Sequence, residues 1–142
     1  MKKITVACAK RENYNEFKKV HDRFTFIDAT APRGPLLDDA TFNDYADRES
    51  LFLAYEDNVL VGYAILDCYE DMTCDVQEIF ILPEYQRNGY GKQLVDHIKE
   101  VAKRDGVKKL NVFSIMIETD EFWMMKCHFY PDDKGYLVYL LN

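Results

Sequence analysis

The chain has 142 residues, with 18 Lys and Arg against 25 Asp and Glu, for a net charge of −7. That length fits a single domain over residues 1–142, and ten Tyr, nine Phe and an apolar share of 48% exclude a disordered chain. The acidic balance argues against nucleic acid and anionic membrane as partners and favours a cationic one.

Ile4 to Ala9 reads as a first strand, because the apolar run after the basic start is cut off by Arg11 and Glu12, too soon for a secretion signal. Tyr14, Phe17, Val20, His21 and Phe24 recur at helical spacing and predict an amphipathic helix from Asn13 to about Phe26. His21, on or beside its apolar face, reads as a satisfied core histidine. The stretch A-T-A-P-R-G-P-L-L, residues 29–37, is a loop by its prolines and glycine. A short helix capped by Thr41 is expected to run to about Arg48.

The hydrophobic period then changes. Leu51–Glu56 and Val59–Cys68 are strands joined by the hairpin signal Asp57-Asn58, and Thr73–Leu82 extends the same meander. A helix follows with Leu94, Val95, Ile98, Val101 and Ala102 on one face and Lys99, Glu100, Lys103 and Arg104 on the other. Gly106 ends it. Lys109–Ile115 reads as a strand, Thr119–Lys126 as a short helix and Gly135–Leu141 as a closing strand. The alternation gives an α/β (α+β) domain, a mixed sheet flanked by helices. No run is long enough to span a membrane. Cys8, Cys68, Cys74 and Cys127 show no CxxC pair, which predicts reduced, buried thiols and a cytoplasmic location. His21, His97 and His128 lack ligand spacing, so no metal site is expected.

The most informative segment is I-F-I-L-P-E-Y-Q-R-N-G-Y-G-K, from Ile79 to Lys92. An apolar strand ends at Pro83, and a short polar loop carries Gly89 and Gly91 into the amphipathic helix. Such a loop presents bare backbone N–H groups and a helix N-terminus to an anion, and glycine lets the ligand approach the backbone. A Walker loop is excluded because Gln93, not Ser or Thr, follows Gly91-Lys92. The dinucleotide fingerprint is excluded because it needs a third glycine.

Gln86, Arg87, Asn88, Gly89, Tyr90 and Gly91 together resemble the acetyl-CoA signature [Q/R]-x-x-G-x-[G/A] of the GNAT acyltransferases. The resemblance extends through V-G-Y-A-I-L upstream and covers roughly Leu51 to Ile115. It implies a centrally splayed sheet and acetyl-CoA as cosubstrate. Exposed backbone at Ile79, Phe80 and Ile81 would bind the pantetheine arm like an added strand. The amides of Arg87 through Lys92 would cradle the diphosphate, with Lys92 or Arg87 able to meet a CoA phosphate.

Acyl transfer to an amine needs a proton acceptor for the attacking nitrogen and help for the departing thiolate. Asp75 and Glu78, on the strand leading into the loop, are the candidate bases, and each occupies a position that some branch of the family uses. Three residues apart on a strand, they are expected on opposite faces, with Glu78 preferred because Asp75 lies next to a turn. The tyrosine that protonates the CoA sulfur in many members would align with Met124, which cannot donate a proton. Glu118, Thr119 and Asp120 stand where the asparagine often starts that helix. The resemblance therefore implies an N-acetyltransferase acting on a primary amine, most simply a small cationic acceptor, through a carboxylate or a water-relayed base. The alternatives are a CoA-binding sensor without turnover and a protein or peptide N-acetyltransferase. A homodimer sharing sheet edges is compatible with the layout.

Overall fold

The computed structural model describes residues 2–27, 38–112 and 121–141. The loop expected at residues 29–37 lies outside them, as do Glu118, Thr119 and Asp120 and the ends of two expected elements. Strand β1 (Thr5–Cys8) leads into helix α1 (Tyr14–Ile27), then α2 (Asp39–Asp47), β2 (Leu51–Glu56), β3 (Val59–Cys68) and β4 (Thr73–Ile81). Helix α3 (Tyr90–Arg104) follows, then β5 (Lys109–Val112), a π-helical turn at Phe122–Lys126, β6 (Tyr130–Pro131) and β7 (Leu137–Leu140). The strands form one sheet in the order β1-β2-β3-β4-β5-β7-β6, antiparallel except where β5 runs parallel to β4. A parallel neighbour needs a crossover, and α3 supplies it.

Local chemistry explains the joints. Asp57 and Asn58 both have positive φ, 49° and 67°, which matches the twist a two-residue hairpin needs. Helix α2 starts earlier than expected. Its cap is Asp38, whose carboxylate accepts from the Thr41 amide at 2.8 Å, so Thr41 is the capped residue and not the cap. The expected C-terminal helix is, in its described part, the π-helical turn, and β6 was not foreseen.

The two faces of the sheet carry separate cores. On one, α3 buries Tyr90, Leu94, Val95, Ile98 and Ala102 against Phe52, Ala64, Leu66, Val76, Ile81 and Leu110. Each larger aliphatic side chain there contributes about 2 kcal/mol by leaving water. On the other, Phe17 and Val20 of α1 and Phe42 and Ala46 of α2 cover Leu51, Leu53, Tyr63, Ile65, Phe80 and Leu82. Gly62 lets β3 approach β4 closely: a Cβ there would stand 2.4 Å from the Phe80 carbonyl oxygen.

The cysteine expectation is corrected in part. Cys68 and Cys74 lie directly opposite each other on β3 and β4 and form a disulfide, while Cys8 is half-buried and Cys127 buried, both as free thiols. The hairpin register sets the two residues directly opposite each other, with their Cα atoms 4.0 Å apart. The closed loop is short, with a sequence separation of 6, so the entropic stabilisation is about 2 kcal/mol. Urea unfolding with and without reductant is expected to show a loss of unfolding free energy of that size, and Cys74→Ser should remove the difference.

Candidate active site

Strand β4 governs the site. From Gly62 opposite Ile81 to Ile65 opposite Glu78 its pairing with β3 is regular, but Leu66 pairs with Val76, which leaves Gln77 without a partner. That extra residue is a β-bulge and shifts the alternation of side chains by one. Asp75 and Glu78, expected on opposite faces, therefore share one. Asp75 lies opposite Asp67 and Glu78 opposite Ile65, and Ile65 belongs to the core beneath α1 and α2.

The two carboxylates live in different surroundings. Asp75 accepts from the Tyr69 hydroxyl at 2.9 Å and from Asn111 Nδ2 at 3.2 Å, one bond on each oxygen. That bond to Asp75 is the main reason the Tyr69 phenol is pushed up to about 12. Asp75 is thus a structural joint between β4, β5 and the hairpin end. Glu78 is more deeply placed, its side chain 12% exposed, and its Oε2 accepts from the Tyr63 hydroxyl. His21 Nε2 lies 3.4 Å from the same oxygen. Sequence reading gave His21 no role; its spacing from Phe17 marked it as inward-facing, but nothing marked its neighbour.

Beyond Glu78 the strand reaches the loop. Among the described residues β4 pairs with β5 only at Thr73–Asp75 against Lys109–Asn111, whereas it stays paired with β3 up to Ile81. The edge of Ile79, Phe80 and Ile81 that would face β5 thus has no described strand beside it. Ile79 and Ile81 pack toward α3, and Phe80 toward α1.

The loop is shaped by a turn at Pro83–Tyr85 and by two left-handed residues, Arg87 at φ 68° and Gly89 at φ 79°. Gln86 Nε2 donates to the Ile81 carbonyl at 2.8 Å and Asn88 Nδ2 to the Tyr85 carbonyl at 3.2 Å, so both side chains brace the loop from within. The backbone amides of Arg87, Asn88, Gly89, Tyr90, Gly91 and Lys92 make no hydrogen bond to any described residue, and the first bonded amide is Gln93, to the Gly89 carbonyl at 3.1 Å. A row of unpaired N–H groups at a helix start is an anion cradle.

The side chains around this cradle have distinct tasks. Tyr90 is 1% exposed and belongs to the core, so only its amide is available. Lys92 is half-exposed and holds Asp96 at 2.7 Å, which raises its pKa. A Cβ on Gly91 would meet the Phe122 ring at 3.2 Å, so this glycine lets the π-helical turn pack on the first turn of α3. Gln93 pins the chain start: it accepts from the Ile4 amide and donates to the Lys2 carbonyl, both at 2.9 Å. Arg23 on α1 makes a two-pronged ion pair with Glu84, at 2.6 and 2.9 Å, tying α1 to the turn before the loop.

In the π-helical turn Trp123 is buried, whereas Met124 is 39% exposed and Met125 71%. The residue aligned with the family's sulfur-protonating tyrosine is therefore a partly exposed methionine. Tyr130 and Tyr136 are both largely exposed, in and beside the β6–β7 pair. Among the described residues no group of three or more His, Cys, Asp or Glu could hold a metal ion, and no helix is long and apolar enough to cross a membrane.

A family model described as acetyltransferase (GNAT) family matches residues 14–130. Among solved structures, the PaiA N-acetyltransferase of Thermoplasma acidophilum in complex with coenzyme A is similar over 96% of both chains, at 13% identity and a TM-score of 0.73. YncA of Salmonella typhimurium, with its cofactor acetyl-CoA, is similar over 99% of this chain and 95% of its own, at 13% identity and a TM-score of 0.79. N-acetylglutamate synthase of Neisseria gonorrhoeae, complexed with coenzyme A and N-acetyl-glutamate, is similar at 17% identity and a TM-score of 0.79 over 100% of this chain, which spans only 36% of that one. No curated protein sequence matches the chain.

Proposed function

The chain belongs to the acetyltransferase (GNAT) family, whose members use acetyl-CoA, and from that premise we propose that it acetylates a small cationic primary amine. The observation that carries the donor side is the run of six amides, Arg87 to Lys92, with no acceptor among the described residues. A diphosphate seated on them would receive several charge-assisted hydrogen bonds and the positive end of α3. From there the pantetheine arm would pair with the edge at Ile79–Ile81 and bring the thioester beside β4. Helix α3 packs on one face of the sheet and Glu78 lies on the other, so the arm passes between strands to reach it.

Glu78 is the better base. Asp75 has both oxygens engaged in joining strands, whereas Glu78 sits nearer the stretch of β4 that has no described strand on its β5 side. In the reaction the acceptor ammonium gives a proton to Glu78, directly or through a water. The nitrogen lone pair attacks the thioester carbonyl, the C–S bond breaks, and the leaving thiolate takes up the proton that the acylated nitrogen sheds. The acidic stretch of α2 is a poorer argument for a cationic acceptor than its composition suggests. Asp38 caps the helix, Asp44 pairs with Arg48 and Asp47 with Arg11. What favours a cation is the trio Asp67, Asp75 and Glu78 on one face of the sheet.

Labelled acetyl-CoA offered with a panel of polyamines, amino sugars and peptide amines is expected to label at least one small cationic amine. Transfer to none of them would count against the reading. Labelling of peptides alone would replace the acceptor class. The exposed Met124 in place of a proton donor favours one second reading, a CoA-binding regulatory domain. Tight CoA binding without any transfer would identify it.

A further inference from the structure

Glu78 has a companion that neither the motif nor the fold requires. His21 is 5% exposed on α1, stacked on Phe17 with ring centres 5.2 Å apart and set against the Tyr63 ring at 5.7 Å, so its imidazole has little freedom to turn. Its Nε2 is 3.4 Å from Glu78 Oε2, the oxygen that also receives the Tyr63 hydroxyl. The ion pair between Arg23 and Glu84 holds the same helix against the exit of β4.

We propose that His21 is a positioning residue for Glu78, holding its carboxylate in place and ionised so that it is ready to take a proton from the acceptor amine. This rests on the acetyltransferase reading. Burial alone disfavours a carboxylate's charge, and a protonated Glu78 would be no base. Asp75 and Asp67, on the same face, add to that pressure, although Tyr69 and Asn111 satisfy Asp75. Helix α2 presents Tyr45 near Asp67, and on α1 Lys18 engages Asp22 while Arg23 engages Glu84. His21 and Tyr63 act in the opposite direction, at Glu78 itself. At 3.4 Å the imidazole is beyond a good hydrogen bond but within ion-pair range, so in its protonated form it acts on Glu78 through charge, whereas Tyr63 acts through a hydrogen bond. An apolar side chain would fill the gap beside Phe17 equally well and would leave the carboxylate without that charge.

The test compares the parent with His21→Phe and His21→Gln. Coenzyme A affinity serves as the check on folding, and kcat/KM for the amine is measured against pH. The imidazole of His21 is also titrated by NMR in the parent and in Glu78→Gln. His21→Phe is expected to keep its CoA affinity while the acid limb of the profile moves up by about one pH unit, a roughly tenfold loss on that limb that recovers at higher pH. The loss should fall on kcat more than on the amine KM, and His21→Gln, which is polar but uncharged, should show the same shift. The imidazole should keep its proton to higher pH in the parent than in Glu78→Gln. An unmoved acid limb with intact CoA affinity, or identical imidazole titrations, would overturn the role. Should His21→Phe lose CoA binding, His21→Gln and the titration decide. If the parent acetylates no amine, the acetyltransferase reading falls, and the titration alone still judges the pair.

Discussion

Gly89→Val is expected to weaken coenzyme A binding by about 100-fold or more while the protein still folds. Gly89 stands at φ 79°, immediately before α3, and the amides of its neighbours on both sides have no acceptor among the described residues. A β-branched residue resists that backbone conformation by about 1–2 kcal/mol and would swing the amides out of line. Each hydrogen bond to a charged diphosphate oxygen is worth about 1.5–3 kcal/mol, so losing two of them already gives the expected factor. Gly89→Ala should cost far less affinity, because it adds one methyl group and the smaller strain. Calorimetric titration with coenzyme A, alongside a thermal melt, separates loss of site from loss of fold. Parent-like affinity in a folded Gly89→Val protein would mean that the diphosphate lies elsewhere.

The second large effect is expected at the carboxylate. Glu78→Gln should lower kcat by about 100- to 1,000-fold at neutral pH and leave coenzyme A affinity unchanged. Glutamine keeps the shape and can still accept from Tyr63, but it cannot take a proton. The deficit should narrow as pH rises, because more of the acceptor amine is then already neutral. A deficit of the same size at every pH would show that Glu78 does something other than accept that proton. Asp75→Asn is the control: its partners Tyr69 and Asn111 ask for a joint and not a base, so its effect on kcat should stay within about threefold.

What could be read from the chain and what could not divides along physical lines. The Asp57-Asn58 hairpin and α3 were legible because turn chemistry and the helical repeat are local properties written in consecutive residues. The glycine-containing turn into α3 was legible for the same reason, as a loop ending in a helix start. The bulge at Gln77 was not, because an unpaired residue in a ladder is defined by the partner strand, and glutamine carries no mark of it. The contact between His21 and Glu78 joins α1 to β4 and depends on how the helix lands on the sheet. The disulfide lay between these cases. The expected strands Val59–Cys68 and Thr73–Leu82 set Cys68 opposite Thr73, and only the observed register, one residue further on, brings Cys74 opposite Cys68.

Gln77 has a consequence for how this chain is compared with others. Because the ladder skips it, positions 75 and 78 lie on the same face of the sheet, one ladder step further apart than direct neighbours. A carboxylate relocated from one to the other during descent would never have to pass through the sheet. A comparison that counts residues instead of rungs would set the two acids on opposite faces of the sheet.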